Sequence, residues 1–146
     1  MQKIILASAS PRRKQLLEWA DISFEIMVAD TDESYSNSLS EEDIAIHIAT
    51  NKGLAVKEKL NKDENALIIA ADTIVVLNKE IIGKPANREE AISILTKLSG
   101  QTHHVITGVC ILSEDKTIQF SEITEVQFHA INLSQIEYYV DHYKPY

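Results

Sequence analysis

Residues Ala66 to Leu77 read Ala-Leu-Ile-Ile-Ala-Ala, then Asp72, then Thr-Ile-Val-Val-Leu. A near-continuous apolar run of this kind predicts a strand covered on both faces, at the heart of a sheet flanked by helices. Asp72 is the exception in it. A carboxylate inside such a strand is expensive unless it is paired, protonated, bound to a metal, or bonded to backbone amides at a bend. The run therefore fixes a fold class and marks one residue for chemistry.

A second apolar run, Ile4-Ile5-Leu6-Ala7, predicts a buried strand that feeds Ser8-Ala9-Ser10-Pro11-Arg12-Arg13-Lys14. Ser10 suits an N-cap and Pro11 the first helical position, where a missing N–H does no harm. Leu16, Leu17 and Ala20 are expected to form the apolar stripe of that helix. Cations in a first turn oppose the helix dipole at roughly 0.3–1 kcal/mol each. Three in succession make sense where an anion docks, held by free N–H groups, serine hydroxyls and guanidinium forks. The expectation is a phosphate site that includes Ser8, Arg12 and Arg13.

Further along, Phe24 to Val28 predicts a strand and Ala29 to Leu39 an acidic, serine-rich loop carrying Asp30, Asp32 and Glu33. Ser40 with Asp43 predicts a capped helix to about Leu60, whose inner stripe is Ala45, Ile48, Ala49, Lys52, Val56 and Leu60. Lys52 falls in line with apolar residues, so it either snorkels to water or meets an anion at the core edge. Asn78-Lys79 suits a hairpin turn into Glu80–Gly83, and Lys84-Pro85 follows. Asn87 with Glu90 opens a third helix that Gly100 stops. Val105–Leu112 and Thr117–Ile131 predict two strands joined at Ser113–Lys116, and Ser134 with Glu137 predicts the cap of a last helix. Helices and hairpins together imply an α/β fold with a mixed twisted sheet.

Glu33 and Asp32 lie in a loop, where acidic residues are normally just solvated, whereas Lys52, Lys84, Arg12 and Arg13 could converge with Asp72 on one ligand. Carboxylates and cations together suggest Mg²⁺-assisted phosphate chemistry, because hard oxygen ligands suit Mg²⁺ and cations neutralise phosphate. His103 and His104 are neighbours and would face opposite sides of a strand, so they read as structural. Tyr138, Tyr139 and Tyr143 are expected to pack the last helix. No P-loop or dinucleotide fingerprint occurs, and with four glycines a Gly-rich phosphate cradle is not the device used. A net charge of −8 disfavours broad nucleic-acid or anionic-membrane binding, yet leaves room for a small anion. Cys110 is alone, which excludes an intrachain disulfide. No apolar stretch approaches the roughly 20 residues a membrane span needs, and no signal peptide is visible, so a cytoplasmic protein is expected.

These motifs resemble those of the Maf family of nucleoside triphosphate pyrophosphatases. The likeness rests on Leu6-Ala7-Ser8-Ala9-Ser10-Pro11-Arg12-Arg13, Ala71-Asp72-Thr73-Ile74-Val75 and Gly83-Lys84-Pro85. Leu98-Ser99-Gly100-Gln101-Thr102-His103 and Thr107-Gly108-Val109 continue it in the same order. The resemblance implies hydrolysis between the α- and β-phosphates with a divalent metal, Mg²⁺ or alternatively Mn²⁺. It implies an elongated, two-lobed fold with a central cleft, related to the inosine triphosphate pyrophosphatases. Asp72 would be the catalytic proton acceptor and, with Glu33, a metal ligand. Ser8, Arg12, Arg13, Lys52 and Lys84 would bind substrate, while Arg12 and Thr73 would help set the base preference. The Ser-Pro-Arg-Arg and Ala-Asp-Thr forms resemble the branch acting on dTTP and UTP. The likeness also implies one Maf-like domain over residues 1–146 without the family's closing C-terminal segment, and a homodimer. The alternative it carries is a nucleotide-binding regulator of cell division and septum formation without significant turnover.

Overall fold

The computed structural model describes residues 2–146. In chain order it contains β1 (Lys3–Leu6), α1 (Pro11–Trp19), β2 (Glu25–Ile26), α2 (Glu41–Lys59) and β3 (Ala66–Leu77). There follow β4 (Glu80–Ile82), α3 (Arg88–Leu98), β5 (Thr102–Leu112), β6 (Thr117–Gln127) and α4 (Leu133–Tyr143). The strands run in the order β2-β1-β3-β5-β6, with β4 off this path on β3. β1 is parallel to β2 and β3, whereas β4 is antiparallel to β3, so the sheet is mixed as expected. Two compact units emerge, Met1–Thr73 with Thr107–Glu122 and Ile74–Ile106 with Ile123–Tyr146.

In the first unit, β1 pairs with β2 through Ile5 opposite Glu25 and with β3 through Ile5 opposite Ile68. Parallel partners require crossovers, and α1 and α2 supply them. The core gathers Ile5, Val56, Ile68, Ala70, Cys110 and Leu112. Small residues bring α2 close to the sheet. A methyl group on Gly108 would collide with the backbone of Ala45 and Ile46, and one on Gly53 would sit 2.9 Å from Leu112 Cδ1. Glycine at these two positions sets the depth at which α2 lies, and hence where Lys52 emerges.

In the second unit, Asn78 and Lys79 both take left-handed conformations, with φ of 50° and 66°. That is the pairing a two-residue hairpin loop requires, and it folds β4 back along the end of β3. α3 and α4 bury Ala91, Ile136 and Val140 between them. The Arg88 guanidinium adds a two-pronged contact, with Nε and Nη2 donating to the Asp141 carboxylate at 2.6 and 3.0 Å. Gly100, at φ 68°, ends the segment after α3 in the backbone region that glycine tolerates best.

Several sequence expectations are corrected. α1 buries no residue: Leu16 is 54 % and Trp19 72 % exposed, so no apolar stripe anchors it. Its anchors are polar, namely the Ser10 cap and the reach of Arg13 to β3. β2 is only two residues long rather than five, and β6 ends at Gln127 rather than Ile131. The last helix is capped by Asn132 with Gln135 in a reciprocal capping box, two residues before Ser134. Tyr138, Tyr139 and Tyr143 are exposed on α4, where Tyr138 stacks on His142 and Tyr139 leans on Tyr143. Among the described residues, no helix is long and apolar enough to cross a membrane.

Candidate active site

The site grows from the end of β1. The Ala7 N–H donates to Ile69 O at 2.8 Å, after which this chain leaves the sheet while β3 runs on to Asp72. Carboxyl ends of parallel strands are where ligands enter sheets of this class. Ser10 caps α1 by accepting from the Arg13 N–H at 3.3 Å. Ser8 is 7 % exposed, and its Oγ accepts from the Ser10 N–H and from Arg13 Nη1, each at 3.2 Å. With both contacts arriving as donors, the Ser8 hydroxyl keeps its own proton for a third group.

Arg13 spans from α1 to β3. Nη1 also donates to Ala71 O and Nη2 to Thr73 Oγ1, both at 2.9 Å. Burial lowers its pKa while the Asp72 charge pulls the other way, and the guanidinium stays charged at any physiological pH. Its fork thus fixes the backbone on one side of Asp72 and the side chain on the other. Thr73 Oγ1 lies in turn 2.9 Å from Thr107 Oγ1 on β5. Thr107 was not legible as a site residue, since a threonine in a strand is ordinary and only strand order brings it beside Thr73.

Lys52 lies on the inner face of α2, one turn beyond Ile48 and one before Val56. The sequence left it between snorkelling and an anionic partner, and the structure gives it two partners. Nζ is 2.8 Å from Asp72 Oδ1 and 3.2 Å from Glu33 Oε1. Burial alone would lower the lysine pKa, but hydrogen bonds and charge from Asp72, then Glu33, outweigh it and raise the pKa above the ordinary value. The cationic form therefore persists across the physiological range. The Asp72 side chain is 14 % exposed and that of Glu33 60 %, so one carboxylate is fixed and the other stands at the rim.

A cavity of about 260 Å³ opens beside this cluster, lined by Ser8, Ala9, Asp30, Thr31, Glu33 and Lys52 among others. The first unit thus brings together Ser8, Arg13, Glu33, Lys52, Asp72 and Thr73 of the expected residues. Arg12 is exposed on α1 and has no side-chain hydrogen bond or ion pair among the described residues. Lys84 belongs to the second unit, where it lines a cavity of about 270 Å³ with Glu80, Ser93 and Lys97. His103 is buried, as a structural histidine should be, with its ring edge-on to Phe128 at 4.9 Å.

Among the described residues, no three metal-ligating side chains form a cluster. Asp72 and Glu33 offer two hard carboxylates drawn to one ammonium. That pair fits an ion such as Mg²⁺, which keeps several waters and takes one or two carboxylates together with phosphate oxygens. It does not fit metals that demand thiolate or imidazole ligands.

Comparison with known proteins identifies the family and the fold. The sequence profile of the family described as "Maf-like protein" matches residues 3–146. A dTTP/UTP pyrophosphatase of Parabacteroides distasonis is 48 % identical over 145 residues, covering 99 % of this chain and 74 % of that one. Its counterpart in Bacillus mycoides is 46 % identical over 145 residues, with the same two coverages. One from Bacillus cereus is 45 % identical over 146 residues, covering 100 % of this chain and 75 % of the relative. Among solved structures, the Staphylococcus aureus Ham1 protein superposes with a TM-score of 0.57 at 18 % identity, covering 86 % of this chain and 71 % of that one. That likeness is one of fold.

Proposed function

This chain belongs to the Maf-like protein family, and from that membership and the Asp72–Lys52–Glu33 cluster we propose that it hydrolyses dTTP and UTP to the monophosphate and pyrophosphate. The names of its relatives support the substrate class. The observation that carries the chemistry is Asp72, a carboxylate on an apolar strand beside the Ser8–Lys52 cavity and held by a lysine.

In this reading Asp72 and Glu33 would hold a Mg²⁺ ion, which would supply positive charge to neutralise the phosphates. The remaining steps belong to the chain. Asp72 accepts the proton of the attacking water, and a base fixed within hydrogen-bond reach is worth about 10²–10⁴ in rate. The Ser8 hydroxyl donates its free proton to a phosphate oxygen. Arg12, exposed on α1, takes the triphosphate as it enters. Arg13 holds Ala71 and Thr73 in place, so that Asp72 between them does not move as charge develops. Lys84 stands among the substrate-binding residues on family likeness alone.

The test is product analysis with a panel of nucleoside triphosphates and Mg²⁺. Pyrophosphate, with dTTP and UTP preferred, is expected. Release of orthophosphate, or binding without release, would refute the assignment.

A further inference from the structure

One ammonium serving two carboxylates has a chemical consequence. Lys52 Nζ reaches Asp72 Oδ1 at 2.8 Å and Glu33 Oε1 at 3.2 Å, and so stands at the point where both oxygens converge. A divalent cation held by these two carboxylates needs that same point, and Glu33 and Lys52 line the Ser8 cavity from which it would enter. We propose that Lys52 is a place-holder: its ammonium keeps Asp72 and Glu33 gathered, the incoming divalent ion displaces it, and the freed ammonium then turns to the substrate's phosphates. This inference rests on the metal-assisted reading above.

Charge favours the exchange. The two carboxylates with Lys52 carry one net negative charge, which repels a triphosphate. Adding a divalent ion makes the same group net positive, which attracts it. Without any cation the two carboxylates would repel each other and splay apart. Mechanics favour it as well. The α2 backbone is fixed, since Gly53 packs against Ala70 and Leu112 and Gly108 packs against Ala45. Only the lysine head has to move, on a stem with four rotatable carbons. Glu33 sits in a loop and its side chain is 60 % exposed, so it can follow either partner.

Two measurements on the full chain test the proposal. The first is Mn²⁺ titration by electron paramagnetic resonance, without nucleotide, on wild type, Lys52→Met and Asp72→Asn. An ammonium that occupies the site about nine-tenths of the time weakens apparent metal binding about tenfold, so Lys52→Met should bind Mn²⁺ about tenfold more tightly. Asp72→Asn should lose binding. The second needs no variant: acetic anhydride labelling of Lys52, read by peptide mass spectrometry with and without Mg²⁺. Labelling should rise when Mg²⁺ alone is added, because the amine leaves its two partners. Unchanged labelling, or equal or weaker Mn²⁺ binding by Lys52→Met while Asp72→Asn abolishes it, would overturn the exchange and leave the metal site standing. If wild type and Lys52→Met both fail to bind Mn²⁺, the exchange and the metal reading fall together.

Discussion

Asp72 Oδ1 and Lys52 Nζ meet at 2.8 Å, joining the one acidic residue of β3 to the one lysine on the inner stripe of α2. Each is costly where it stands and each explains the other. Their side chains are 14 % and 24 % exposed, so solvent screens the pair only in part.

Arg12 and Arg13 are neighbours in sequence with different environments, and their variants should separate. Arg13→Ala loses the donors to Ser8 Oγ, Ala71 O and Thr73 Oγ1, which should destabilise the fold by about 1–3 kcal/mol. Arg12→Ala touches nothing in the fold and should stay within about 0.5 kcal/mol of wild type. Its effect should be a raised KM for dTTP with kcat nearly unchanged. Urea titration and steady-state kinetics of both variants decide the matter.

The two tight glycines should rank in severity. An added methyl at Gly108 meets backbone atoms of α2, which cannot yield without moving the helix. Gly108→Ala is expected to lose about 3 kcal/mol or more and to displace Lys52 along with α2. At Gly53 the nearest atom is the Leu112 side-chain tip at 2.9 Å, which can rotate, so Gly53→Ala should lose about 1 kcal/mol. Thermal melts of the two variants test the order.

His103 should make stability depend on pH. Burial first, and then the neighbouring His104, lower its pKa, and its Nδ1 has no hydrogen-bond partner among the described residues. The unfolded chain, with histidine near its ordinary value of about 6.5, then binds the proton more readily than the folded one. The resulting stability is present above that pH and is lost as pH falls through about 6.5 toward the folded value. Urea midpoints at about pH 7.5 and 5.5 should drop for wild type more than for His103→Gln.

Much of this was legible in the residues. Strand β3 spans Ala66 to Leu77 as its apolar run predicts, because burial on both faces leaves no ambiguity of period. Ser10 with Pro11, Ser40 and Asn87 mark helix starts, since capping is local chemistry. The partner of Lys52 was open because snorkelling and pairing give the same helical spacing. The misreadings concern tertiary context. α1 looked as though it should be anchored by leucines, yet it is held by an arginine whose acceptors lie 58 and 60 residues away. Thr107 meets Thr73 only because β5 lies next to β3, and strand order is not written in local pattern.

The measurement that bears most directly on the account is pyrophosphate release from dTTP by wild type and Asp72→Asn, with circular dichroism on both. The account predicts an unchanged spectrum and a rate reduced by at least about a hundredfold. A well-folded Asp72→Asn protein that releases pyrophosphate at the parental rate would contradict it.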